Sequence, residues 1–126
     1  MKMLLLIPLF LIILLGCRLF NAADHTEVFI PGTYIRFSSH EFGKEYDTLM
    51  ITLQNESAHE FKILRKWKYE RVLDGKIMEP DYQRVTTTGI YYSADKVMQD
   101  PESGNLYSFD AKEKLLFNGD IKYKKL

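Results

Sequence analysis

The chain has 126 residues, 17 basic and 17 acidic side chains, a formal net charge of zero and a single cysteine. That length suits one domain with one modest core and leaves no room for a second. Balanced charge supplies no global field to draw nucleic acid, and one cysteine allows no internal disulfide, so the core must hold by packing. Met1 and Lys2 make a short positive start, and Leu4 to Leu15 is an apolar run broken only by Pro8. A spanning helix needs about 20 apolar residues. This run stops several short of that, at Gly16-Cys17-Arg18, and its length suits the hydrophobic region of an export signal.

The four residues Leu14-Leu15-Gly16-Cys17 resemble the lipobox of bacterial lipoproteins, with Leu15 bulkier than the small residue usual at its place. The resemblance implies that the Cys17 thiol receives diacylglycerol, that signal peptide 1–16 is removed, and that the acylated cysteine inserts in a bilayer. Several acyl chains on one residue anchor a protein, whereas a single chain, at about 0.8 kcal/mol per buried methylene, does so only marginally. Cleavage after Ala23 and an uncleaved anchor are the alternatives. Arg18, not aspartate, follows the cysteine; by resemblance to Gram-negative sorting this implies the outer membrane. Residues 17–27 show no period and read as the lipidated cysteine and a tether. The stretch from Arg18 to Thr26 reaches roughly 30 Å when extended, at about 3.3–3.6 Å per residue.

A β-domain is expected over 28–126. Leu49, Ile51 and Leu53 alternate with Thr48, Met50 and Thr52, the pattern of a half-buried strand. Phe61, Ile63, Trp67, Tyr69 and Leu73 share one parity and Lys62, Lys66, Lys68 and Glu70 the other, which predicts one long strand or two joined by a bulge. On a continuous strand Arg65 and Arg71 would point inward beside the rings, so either a bulge near Arg65-Lys66 or carboxylate partners are required. Gln54 to His59 reads as a loop. Asp74-Gly75 and Asn118-Gly119 are dipeptides that tolerate the positive φ of two-residue hairpins, and Asp100 to Asn105 reads as a wider turn before a strand from Leu106 to Asp110. The expected fold is all-β: an antiparallel meander of seven to nine short strands, with no helix after the signal, curled into a small barrel or a sandwich to remove its edges.

The string Phe29-Ile30-Pro31-Gly32-Thr33-Tyr34, then Asp47-Thr48-Leu49, Asp74-Gly75-Lys76 and the basic end Tyr123-Lys124-Lys125-Leu126 resemble short β-rich lipoproteins of Bacteroidota. This resemblance implies a compartment and a fold more than an activity. Gly32-Thr33-Tyr34 is also similar to the start of lipocalin-like barrels, which implies a first strand that closes one end of a barrel.

Chemistry-bearing motifs are few. There is no phosphate loop, dinucleotide glycine fingerprint, His-Glu-x-x-His, paired-cysteine motif or nucleophile elbow, so a non-enzymatic domain without cofactor or metal is expected. His25, His40 and His59 each lie beside a carboxylate, and a metal site would need them brought together. Glu79 and Asp81 flank Pro80, which is first of all a turn. The densest basic stretch, Lys62 to Arg71, surrounds Trp67 and Tyr69. Lys62, Lys66, Trp67 and Lys68 are therefore the candidate binding surface. The expected role is an accessory or protein-binding module of the cell envelope, partnered by the bilayer through Cys17 and by another envelope protein, with no nucleic acid. A lipocalin-like carrier of a small apolar ligand is the alternative.

Overall fold

A computed structural model describes residues 24–126. The signal peptide, Cys17 and the start of the tether lie outside them. The alternating segments form nine strands: β1 (Gly32–His40), β2 (Gly43–Asn55), β3 (Glu60–Leu73), β4 (Lys76–Ile77), β5 (Asp81–Tyr92), β6 (Val97–Gln99), β7 (Leu106–Asp110), β8 (Leu115–Asn118) and β9 (Ile121–Lys125). Every pairing is antiparallel. Eight strands close a barrel in meander order, and β4 extends the end of β3. Closure comes from Tyr34↔Lys125 and Ile35↔Lys124, reinforced by the Leu126 amide donating to the Thr33 carbonyl at 2.9 Å. The first strand joins the last, so the choice left open between barrel and sandwich falls to the barrel.

One helical turn, α1 (His25–Phe29), precedes β1. The absence of any helix after the signal is thus corrected, and the folded part begins before Val28. The Asp24 carboxylate accepts from the amides of Thr26 and Glu27, the ordinary chemistry of an N-cap, and its second oxygen accepts from the Tyr91 hydroxyl at 2.8 Å. Too short to show a period, this turn has no sequence signal beyond its cap. It closes one mouth of the barrel. Ile30 is fully buried, the Tyr34 hydroxyl donates to the Ile30 carbonyl at 2.8 Å, and the rings of Phe29, Tyr34 and Phe109 meet edge to face or tilted at 6.0–6.3 Å.

The turn chemistry is mixed. Asp74 and Gly75 have φ of 51° and 77° and make the expected two-residue hairpin between Leu73 and Lys76. At the other site Asn118 pairs with Ile121, so the turn residues are Gly119-Asp120, one place later than expected, with Gly119 at φ 61°. Glycine in the first central position fits a II′ turn. Three hairpin loops, 56–59, 93–96 and 111–114, are four residues long and end on His59, Lys96 and Lys114 at φ 53–58°. None of the three uses glycine for that left-handed residue.

The core contains Ile30, Tyr34, Leu49, Ile51, Phe61, Ile63, Tyr91, Met98, Tyr107, Leu116 and Tyr123. Gly89 gives the core room, since a Cβ there would lie 2.8 Å from the Met98 side chain. The required partner of Arg65 is Asp47, and no bulge is present near Arg65-Lys66: β2 and β3 pair without a break from Gly43↔Arg71 to Leu53↔Phe61. Arg65 grips Asp47 through Nε at 3.0 Å and Nη2 at 2.8 Å, and the Tyr123 hydroxyl donates to the same carboxylate at 2.7 Å. Asp47 is 1 % exposed, whereas the Arg65 side chain remains 47 % exposed. The hydrogen bond to Asp47 holds the Arg65 guanidinium above its ordinary range, and burial together with Asp47 pushes the Tyr123 phenol up.

Removing one partner of this cluster should cost stability in graded steps. Arg65→Ala strands a buried carboxylate and is expected to lower the free energy of unfolding by about 3 kcal/mol, the low end for a broken buried pair because Arg65 is half-hydrated. Tyr123→Phe should cost about 1 kcal/mol. Urea unfolding of the two variants checks the order. A second prediction concerns acid. Burial raises the Asp100 carboxyl, but hydrogen bonds from Ser103, Thr87 and the amides of Ser103 and Glu102 outweigh it and leave the group below its ordinary range. A depressed folded pKa contributes stability above the unfolded value of about 3.9 and loses it as pH falls through the folded value. Asp100→Ala should therefore cost about 1–3 kcal/mol at pH 7, with the gap to wild type shrinking below about pH 4 in melting experiments.

Candidate functional site: a basic aromatic groove on the outer sheet

Strands β1, β2, β3 and β5 are much longer than β6 to β9 and run on past the packed core as a projecting sheet. Alternation divides it into two faces. The face continuous with the barrel interior carries Arg36, Glu45, Trp67 and Tyr69; the outer face carries Tyr46, Thr48, Lys66, Lys68, Tyr82 and Arg84. The candidate residues therefore separate. Lys62, Lys66 and Lys68 point outward, as their parity predicts, and Trp67 turns to the opposite face. There it donates to Glu45 at 2.7 Å and stacks on Tyr69, rings parallel within 1° at 5.7 Å. Arg36 reaches the same Glu45 at 3.3 Å. Trp67, Tyr69 and Leu73 belong to the inward parity but are only half-buried or exposed, because the short strands no longer face them at this height.

Outside, two rows run across three strands. Tyr46, Lys68 and Tyr82 are cross-strand neighbours, and so are Thr48, Lys66 and Arg84. With strands about 4.8 Å apart, each row spans roughly 10 Å. Together with Trp67 and Gln83 they line a groove of about 510 Å³. Lys68 lies 3.0 Å from Glu70 and 5.2 Å from the centre of the Tyr46 ring. That hydrogen bond to Glu70 holds its ammonium above the ordinary lysine range. Lys66 and Arg84 take part in none of the ion pairs among the described residues, and they stand directly opposite one another. Like charges so placed destabilise a sheet.

Tyr46, Thr48, Tyr82 and Arg84 were not legible as members of this surface. Tyr46 and Thr48 join it through the β2–β3 register, and the arrival of Tyr82 and Arg84 depends on one extra residue. Val72 pairs with Ile77 and Leu73 with Lys76, and the Met78 amide donates to the Arg71 carbonyl; Tyr69 then pairs with Asp81. Glu79 and Pro80 thus stand opposite the single residue Glu70, a bulge at a proline that has no amide to give. Without it Lys68 would face Asp81 and Lys66 would face Gln83. With it the lysines face Tyr82 and Arg84, and a mixed surface becomes a basic one. The turn expected at Glu79-Pro80-Asp81 is instead this bulge, since the chain reverses at Asp74-Gly75 and Asp81 already belongs to β5.

Two further concavities among the described residues are smaller. Ile63, Arg65, Val85, Thr87, Asp100, Ser103, Asn105 and Tyr107 line an opening of about 100 Å³ at the barrel's second mouth. That is below the roughly 300–1,000 Å³ of small-molecule sites. A pocket of about 270 Å³ lies beside α1, where His59 contacts Glu27. His25 lies in α1 and His59, which closes the β2–β3 loop, contacts Glu27 of that same turn, whereas His40 ends β1 at the opposite end of the strand. Among the described residues no three His, Cys, Asp or Glu side chains gather as metal ligands.

Opposite roles for neighbouring residues lead to a direct comparison. Trp67→Ala removes a half-buried ring and should cost about 2 kcal/mol, less than the 3–5 of a core tryptophan. Tyr82, 71 % exposed, should be replaceable by alanine with a change within about 0.5 kcal/mol. Chemical denaturation of the two variants decides. No protein-family model, curated protein or solved structure matches the chain.

Proposed function

We propose that the protein is a lipoprotein of the cell envelope, held in the bilayer by acylated Cys17, and that its barrel is a non-enzymatic recognition module taking an anionic envelope component on the outer groove. The observation that carries this reading is the opposed pair Lys66 and Arg84, two cations that take part in none of the ion pairs among the described residues, next to the row that holds the exposed tyrosines Tyr46 and Tyr82. Their mutual repulsion is a standing cost in the free protein, and an anion placed between them relieves it. A lipocalin-like role is disfavoured by the interior: Leu49, Ile51, Phe61, Ile63, Met98 and Leu116 occupy the space an apolar cargo would need.

The position of the groove suits an anchored receptor. The chain enters the barrel through α1, beside the β2–β3 loop, and from Asn55 at that end to Tyr46 in the groove β2 runs roughly 25–30 Å at about 3.3 Å per residue. The groove therefore lies at the end of the sheet opposite the point where the chain enters the barrel at Asp24.

Metabolic labelling with a fatty acid and fractionation test the anchor: wild type should carry label in the membrane fraction, and Cys17→Ala should lose the label and leave that fraction or stall as precursor. An unlabelled wild type removes the lipoprotein reading. Recognition is tested with K62E/K66E/K68E, which should lose salt-sensitive binding to isolated envelope material while its melting temperature stays within a few degrees. Undiminished binding reduces the lysine face to a solvated surface.

A further inference from the structure

We infer that the ligand of the outer groove is an acidic saccharide, a short run of sugar units bearing carboxylates, lying across β2, β3 and β5. This rests on the recognition reading above and names its ligand. The lining is the first reason. The six side chains that face the groove, Tyr46, Thr48, Lys66, Lys68, Tyr82 and Arg84, all carry a hydrogen-bonding group, and none is aliphatic. Protein interfaces instead bury apolar anchors at their centre and are depleted in lysine there. A hydroxyl-rich ligand needs donors and acceptors on every side.

The two rows divide the work. In the outer row, Tyr46 and Tyr82 flank Lys68. The negative face of a phenol ring attracts the positive edge of C–H bonds, and one face of a pyranose ring presents such bonds. In the second row, Lys66 and Arg84 sit side by side with Thr48. The Arg84 fork matches a carboxylate in two parallel hydrogen bonds and Lys66 adds a point charge. Strand spacing of about 4.8 Å places successive side chains at intervals comparable to one sugar unit. The volume of about 510 Å³ suits a short oligosaccharide.

Rival ligands fit less well. Nucleic acid binding draws on an extended basic field, and here the formal net charge is zero and the basic groups of the groove are three, Lys66, Lys68 and Arg84.

The test is calorimetric titration of the full chain in detergent micelles with tetragalacturonate, and in parallel with neutral cellotetraose and a polyglutamate peptide. Saturable binding of tetragalacturonate is expected, weakening as salt rises, at least tenfold tighter than cellotetraose and the peptide. K66E/R84E should weaken it at least tenfold, and Y82A several-fold, with circular dichroism unchanged in both because these side chains are exposed. Equal affinity for tetragalacturonate and cellotetraose, or an undiminished K66E/R84E, overturns the inference. Tighter binding of polyglutamate overturns the saccharide and keeps the recognition module, its partner then being an acidic protein. If no probe binds, the saccharide falls; if K62E/K66E/K68E also keeps its grip on envelope material, the recognition module falls with it.

Discussion

The carboxylate of Asp47 is the point on which the barrel turns. It is buried where β2 passes the core, and an unpaired carboxylate there would carry a large desolvation cost. Arg65 from β3 and Tyr123 from β9 supply the hydrogen bonds that offset it, so the β2–β3 hairpin and the last strand of the chain are held by one charged group. Tyr123 lies in the strand that β1 meets at closure. A slip of one residue in β2 or β3 would turn Asp47 or Arg65 to the opposite face and leave its partner unpaired, which makes this cluster a lock on register as much as a source of stability.

Above that cluster the barrel changes character. The strands β6 to β9 stop, while β1, β2, β3 and β5 continue as a sheet that no opposite wall covers. Its inner face covers itself with Trp67 stacked on Tyr69 and tied to Glu45 and Arg36. Because these side chains satisfy one another, the outer face is free to carry cations and tyrosines that do nothing for the core. The packed core resides in the closed part, and the projecting part carries the basic groove. A filled interior and a decorated exterior follow from the same inequality of strand lengths.

Much of the fold was legible residue by residue. The parity of Leu49 and Ile51, and of Phe61 and Ile63, pointed these side chains at a common core, and they are buried in it. Asp74-Gly75 and the Asp100 turn formed where their chemistry required. Arg65 on the inward parity implied either a bulge or an acid, and Asp47 is that acid. The candidate surface was legible in half: the three lysines share a face, but Trp67 lies one residue from both Lys66 and Lys68, and adjacent strand residues point to opposite sides. Proximity in sequence grouped what the pleat separates. The α1 turn, and left-handed residues such as His59, Lys96 and Lys114 outside glycine, carry too little local preference to be read.

By itself the sequence determined what alternation and turn chemistry control: an all-β antiparallel meander, the inward and outward sets of the central long strands, and the need of Arg65 for either a bulge or an acidic partner. Only the tertiary structure decided which strands lie side by side across the closure, and which residues meet across β3 and β5. Both depend on register, a property of two segments at once. The bulge at Glu79-Pro80 shows why: one additional residue exchanges Asp81 and Gln83 for Tyr82 and Arg84 beside the lysines. No local preference of either strand specifies that exchange, because the energy that selects it comes from Tyr69, Trp67 and the neighbouring side chains of the partner strand packing all at once.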